Sequence, residues 1–123
     1  MNRCLLVGVL ITSLSLIGCG GDGTAAKSGS SKAGGVASRD LSPQNAEIAS
    51  IYNRSCRSCH TVGGTGAPLT GDVAAWEPRM AKGMDVLVNS VVEGFGGMPP
   101  FGFCMDCDVE QFEALITFMA QGK

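Results

Sequence analysis

Cys56-Arg57-Ser58-Cys59-His60 is the stretch of this 123-residue chain whose residue types and spacing carry the most chemistry. On a helical turn positions i and i+3 share a face, so Cys56 and Cys59 can both reach vinyl groups along one haem edge and form thioethers. His60 then falls beneath the iron as a proximal ligand. Five residues fix attachment, ring orientation and one axial bond together, which C-x-x-C alone does not.

Two other readings compete for these cysteines. A thioredoxin-like couple needs a βαβ neighbourhood, and the sequence around residue 56 offers none. A four-thiolate zinc site would join Cys56 and Cys59 to Cys104-Met105-Asp106-Cys107. The 44 residues between the two pairs are far more than a zinc ribbon uses, and His60 would be left without a role.

His60 is the only histidine, so a second imidazole cannot close the other face of the iron. Met98 is the candidate. It sits in Gly94-Phe95-Gly96-Gly97-Met98-Pro99-Pro100, where glycines permit close backbone approach and Pro99 pushes Met98 toward an extended conformation. Met80 and Met105 are its rivals, while Met84 and Met119 read as gap-filling core residues. Histidine and methionine together saturate the iron, favour the reduced state and keep similar geometry in both oxidation states, which suits a one-electron carrier. A peroxidase-like enzyme would need an open sixth position and a distal acid–base group, and the sequence supplies neither.

The elements that must position these residues read as helices. Ser42 as an N-cap with Pro43 at the first helical position opens a helix on which Ile48, Ile51, Tyr52, Ser55 and Cys56 recur at threes and fours. The Gly-rich loop at 63–69 wraps the ring edge and brings a backbone carbonyl, that of Pro68 the leading candidate, to Nδ1 of His60. A short helix is expected over Trp76–Lys82 with Pro78 in its first turn, and another over 85–93 ending at Gly94. Asp108 and Gln111 form a capping-box pattern at the start of a last helix, with Val109, Phe112, Leu115, Ile116 and Met119 as its apolar stripe. Trp76, Arg79 and Lys82 are candidates to meet haem propionates, with core or surface roles equally open.

The amino-terminal third reads as targeting. Residues 1–18 form a signal peptide, with Arg3 followed by an apolar run from Leu5 to Ile17 that is shorter than the roughly twenty residues a spanning helix needs. Leu16-Ile17-Gly18-Cys19 resembles the bacterial lipobox, which would place a diacylglycerol on the Cys19 sulfur. Residues 19–40 then make a Gly/Ser/Ala tether reaching about 25 Å on average, and 41–123 form the folded domain. Exported and lipid-anchored, the domain would face the periplasm or another extracytoplasmic side. Of six cysteines, Cys4 leaves with the signal, Cys19 takes lipid and Cys56 and Cys59 take haem. An oxidising compartment then favours a Cys104–Cys107 disulfide.

The domain carries five basic and nine acidic side chains, which argues against a nucleic-acid partner. At this size apolar burial is marginal, and an inserted haem supplies rigid apolar surface that the polypeptide lacks.

Taken together, Cys56-x-x-Cys59-His60, Gly66-Ala67-Pro68 and Gly97-Met98-Pro99-Pro100 resemble the small class I monohaem cytochromes c. Trp76-Glu77-Pro78-Arg79-Met80-Ala81-Lys82-Gly83, followed by Cys104-Met105-Asp106-Cys107, is similar to the cytochrome c-five subgroup, which has a disulfide near its last helix. The resemblance covers about 46–119. It implies an all-α fold of about four short helices around one covalent haem c, with an exposed edge and traffic between membrane-bound and soluble redox partners, as a monomer. The lipobox and tether depart from the many freely soluble relatives. The alternative is a haem-bearing accessory subunit of an oxidase or dehydrogenase complex.

Overall fold

Asn45 starts the first helix, its Oδ1 accepting from the amides of Glu47 and Ile48 at 2.9 and 3.1 Å. The computed structural model describes residues 38–123; the signal peptide expected at 1–18, Cys19 and most of the expected tether lie outside the described residues. Helix α1 spans Ala46–Ile51, so the expected start at Ser42-Pro43 is corrected by three residues. Serine and asparagine both cap well, but the Asn45 side chain satisfies two of the amides that a helix start leaves unpaired, and Ser42-Pro43 stays outside the helix.

The backbone then widens. Tyr52–Cys56 is a π-turn, closed by the Arg57 amide donating to the Tyr52 carbonyl, and α2 continues as Arg57–His60. One residue more per turn rotates everything beyond it by about 100° around the helix axis. Tyr52 and Ser55 are buried, Cys59 is exposed and His60 is buried at the end of the rod. The simple three–four periodicity of the sequence did not contain this step.

Helix α3 spans Val73–Met80, with Asp72 as N-cap accepting from the Ala75 amide at 3.2 Å. Its start lies three residues before the expected one, because Asp72 is the stronger cap and alanines 74 and 75 favour helix. Pro78 therefore stands in the interior rather than the first turn, where it lacks the N–H that would pair with the carbonyl four residues back. Helix α4 (Met84–Glu93) follows Gly83 and ends at Gly94, whose φ is +84°. Helix α5 (Val109–Gln121) begins with the expected capping box, Asp108 and Gln111 each accepting from the other's amide at 2.8 and 3.0 Å.

Counting α1, the π-turn and α2 as one rod, four helical units enclose the core, and the fold is all-α. Among the described residues the nearest thing to a strand is a single bridge between Phe95 and Met98, and no helix is long and apolar enough to cross a membrane. Helix α5 packs on α1, α3 and α4, burying Phe112, Leu115, Ile116, Phe118 and Met119 against Ile51, Tyr52, Trp76, Leu87 and Val88. Val109, expected in that stripe, is 52% exposed at the first turn. The Tyr52 ring meets Phe118 edge-on, centroids 5.0 Å apart.

Between α4 and α5 the chain makes a turn of the opposite hand. Phe101 (φ +58°), Gly102 (φ +55°) and Phe103 (φ +65°) are consecutive left-handed residues, closed by the Gly102 amide on the Pro99 carbonyl at 3.0 Å and the Cys104 amide on the Phe101 carbonyl at 2.8 Å. A phenylalanine in this region costs roughly 1–2 kcal/mol.

Candidate haem site

The C-x-x-C-H residues occupy the last turns of the α1–α2 rod. Cys56 is half-buried and Cys59 exposed, both as free thiols, and burial pushes the Cys56 thiol up to about 11. His60 is 6% exposed and its Nδ1 lies 2.8 Å from the Pro68 carbonyl oxygen. That carbonyl can only accept, so Nδ1 carries the proton and donates, leaving the Nε2 lone pair for a metal. Burial holds the imidazole below its ordinary value, the Pro68 bond opposes this, and the Arg79 charge adds to it. The neutral ring that coordination needs is therefore favoured.

The loop after the motif is built to present that carbonyl. The Thr65 hydroxyl donates to the Cys59 carbonyl at 3.1 Å and accepts from the Ala67 amide at 3.2 Å, and the Thr70 amide returns to the His60 carbonyl at 2.7 Å. Tyr52, on the π-turn, shares a hydrogen bond of 2.9 Å with the buried Thr70 hydroxyl. Trp76 stacks on the His60 ring, centroids 5.9 Å apart and planes 25° from parallel, while its Nε1 donates to the Leu69 carbonyl at 2.9 Å. Of the three residues considered for propionates, Trp76 thus serves the core beside the histidine. Arg79 Nη1 donates to the Ala75 carbonyl, and Lys82 is exposed. Apart from the Pro68 carbonyl, this buttressing escaped the sequence reading, because it joins groups up to 18 residues apart, as in the Tyr52–Thr70 hydroxyl pair.

Met98 is half-buried in a hairpin whose amides and carbonyls are paired with those of Phe95 at 3.0 and 3.2 Å. Glycine is required at its base: a Cβ on Gly94 would meet the Met98 carbonyl oxygen at 2.8 Å and the Pro100 nitrogen at 3.0 Å. Of its rivals, Met80 packs against the hydrophobic core and Met105 is 72% exposed. The turn that follows Met98 packs on the π-turn that ends at Cys56. Arg54, on that π-turn, reaches across to Asp106 with two bonds of 3.1 Å and to Cys104 Sγ at 3.3 Å. Cys104 and Cys107 lie with Cα atoms 5.4 Å apart and their sulfurs at bonding distance, inside the window a disulfide requires.

The donor set fits a covalently held haem: two free thiols one turn apart, a buried histidine with Nδ1 engaged, and a thioether on a loop cleared by glycine. A family profile described as "Cytochrome C oxidase, cbb3-type, subunit III" matches residues 43–119. The chain belongs to the class I monohaem cytochromes c. This cytochrome is 42% identical over 72 residues to cytochrome c5 of Azotobacter vinelandii, a match covering 57% of this chain and 87% of the relative. Cytochrome c-555 of Chlorobaculum tepidum is 50% identical over 46 residues, covering 37% of this chain and 43% of that protein. The chain thus spans less than half the length of that relative. Among solved structures, a mono-haem ferrocytochrome c from Shewanella putrefaciens is 49% identical with a TM-score of 0.55, covering 62% of this chain and 94% of that one. Members of the family hold one covalent haem c and are electron carriers, exchanging single electrons with redox partners, rather than enzymes.

Proposed function

We propose that this cytochrome is a lipid-anchored one-electron carrier of the cell envelope, with haem thioethers at Cys56 and Cys59 and iron held between His60 and Met98. The observation that carries the reading is the engagement of His60 Nδ1 by Pro68 at 2.8 Å, on the residue directly after the Cys56 and Cys59 pair. A bound haem supplies the one-electron iron couple. The chain's residues do the rest. Pro68 and Trp76 orient the imidazole, the glycines of the Met98 loop let a thioether approach, and the apolar core keeps water from the ligands. With both axial positions filled, bonds need not break as the charge changes.

A Cys104–Cys107 disulfide belongs to this reading, supported by the 5.4 Å Cα separation and by export. The lipobox supports a diacylglycerol on Cys19, after removal of residues 1–18. A tether over 19–40 would let the domain, 41–123, meet redox partners along the membrane surface. The second reading, a haem-bearing subunit of a larger oxidase or dehydrogenase, is favoured by the description of the matching family profile. A stable complex on gentle solubilisation supports that reading; a monomer reduced and oxidised by several proteins supports the carrier.

The ligand assignment is tested by the ferric spectrum of the parent beside Met98→Ala. Loss of the weak thioether-to-iron charge-transfer band in the variant is expected. An unchanged band would move ligation to Met80 or Met105.

A further inference from the structure

We propose that the left-handed turn Phe101-Gly102-Phe103 positions the Met98 thioether, with Gly102 setting where its methyl group lies; the inference rests on the reading of Met98 as an iron ligand. Gly102 is buried. An ideal Cβ on it would stand 3.1 Å from Met98 Cε, with no other heavy atom from outside its own turn within 4 Å. The methyl end of the thioether is therefore packed against a bare α-carbon, tightly enough that one added carbon must displace it.

A thioether sulfur is bonded to Cγ on one side and Cε on the other, so its lone-pair direction is fixed when both ends are fixed. The backbone end is held by the two hydrogen bonds between Met98 and Phe95, at 3.0 and 3.2 Å. The methyl end rests on Gly102. That support is itself anchored: Phe101 packs against the core, and Cys104, 1% exposed, takes the Arg54 Nη2 donor at 3.3 Å on its sulfur. Two phenylalanines kept at φ +58° and +65° mark a conformation that its surroundings impose, since isolated side chains of that type avoid it. The turn is thus a rigid stop behind the ligand, reached from the haem-motif helix through Arg54.

The test compares haem-loaded Gly102→Ala with the parent, with Gly83→Ala and with Met98→Ala, reading the ferric thioether charge-transfer band and displacement of the sixth ligand by imidazole. Gly83 has φ +94° and nothing within 4 Å of an added Cβ, so its substitution strains the backbone without touching Met98. The expected result is a weakened or shifted band and about tenfold tighter imidazole binding in Gly102→Ala, with Gly83→Ala unchanged and the band lost altogether in Met98→Ala. Gly102→Asn carries the same Cβ on a residue type that tolerates left-handed backbone, and gives the same change even where the alanine variant holds haem poorly. If both Gly102 variants match Gly83→Ala, the positioning role is overturned while the ligand stands. If Met98→Ala keeps the band, the ligand assignment falls and the inference with it.

Discussion

The indole of Trp76 lies face to face with the imidazole of His60, centroids 5.9 Å apart at 25°, and the same indole donates to the Leu69 carbonyl. Leu69 follows Pro68, whose carbonyl receives the His60 Nδ1 hydrogen. One side chain therefore steadies both the ligand ring and the backbone that orients it. Trp76→Phe keeps a smaller aromatic face and loses the N–H with part of the ring volume, lowering stability by about 1–2 kcal/mol. Trp76→Ala also empties core volume and lowers it by about 3–5 kcal/mol. Denaturant unfolding of the haem-loaded proteins checks both, and equal losses would contradict the division of labour.

Tyr52 and Thr70 are 0% and 1% exposed, and their hydroxyls satisfy each other at 2.9 Å. Burial raises the Tyr52 pKa, with the Thr70 bond opposing, so the phenol stays neutral through the physiological range. Tyr52→Phe strands the Thr70 hydroxyl in the core and lowers stability by about 1–3 kcal/mol. In Tyr52→Phe/Thr70→Val no orphan remains, and much of the loss is recovered. The same unfolding curves decide this, and a double variant no better than the single one would contradict it.

The Arg54–Asp106 pair bridges the π-turn and the 104–107 ring. Hydrogen bonds from Arg54 hold the exposed Asp106 carboxyl below the ordinary value of 3.8. A carboxyl whose folded pKa is depressed contributes stability that is complete above the unfolded value and disappears as pH falls through the folded one. The melting-temperature gap between parent and Asp106→Asn is therefore constant from neutral pH to about pH 5 and shrinks as pH falls below that. The gap is small and shrinks in salt, because both partners are solvated. A gap that stays undiminished as the carboxyl protonates would contradict the assignment.

The haem motif was legible because its chemistry is local: five consecutive residues contain two thiols and an imidazole at helical spacing. Asp108 and Gln111 were legible for the same reason, as was the glycine before the Met98 loop. Helix starts were harder, since Ser42 and Asn45 are both good caps and the residue types do not say which side chain pairs the first amides. The π-turn at Tyr52–Cys56 leaves no signature in residue types, and its first residue packs on Phe118 and Thr70, 66 and 18 residues away. The left-handed Phe101 and Phe103 run against the preferences of their side chains, so no local rule reaches them. Arg54 with Asp106 needs the fold to bring residues 52 apart in sequence together.

The central claim is that one haem is bonded covalently through Cys56 and Cys59. Intact-mass measurement of purified mature protein, with the absorption spectrum of its reduced form, tests it most directly. The account predicts a coloured protein whose mass exceeds that of the processed, acylated polypeptide by one haem, an increment that survives denaturation and is lost in Cys56→Ala/Cys59→Ala. A colourless protein of bare acylated-polypeptide mass, or haem released on unfolding, would contradict it.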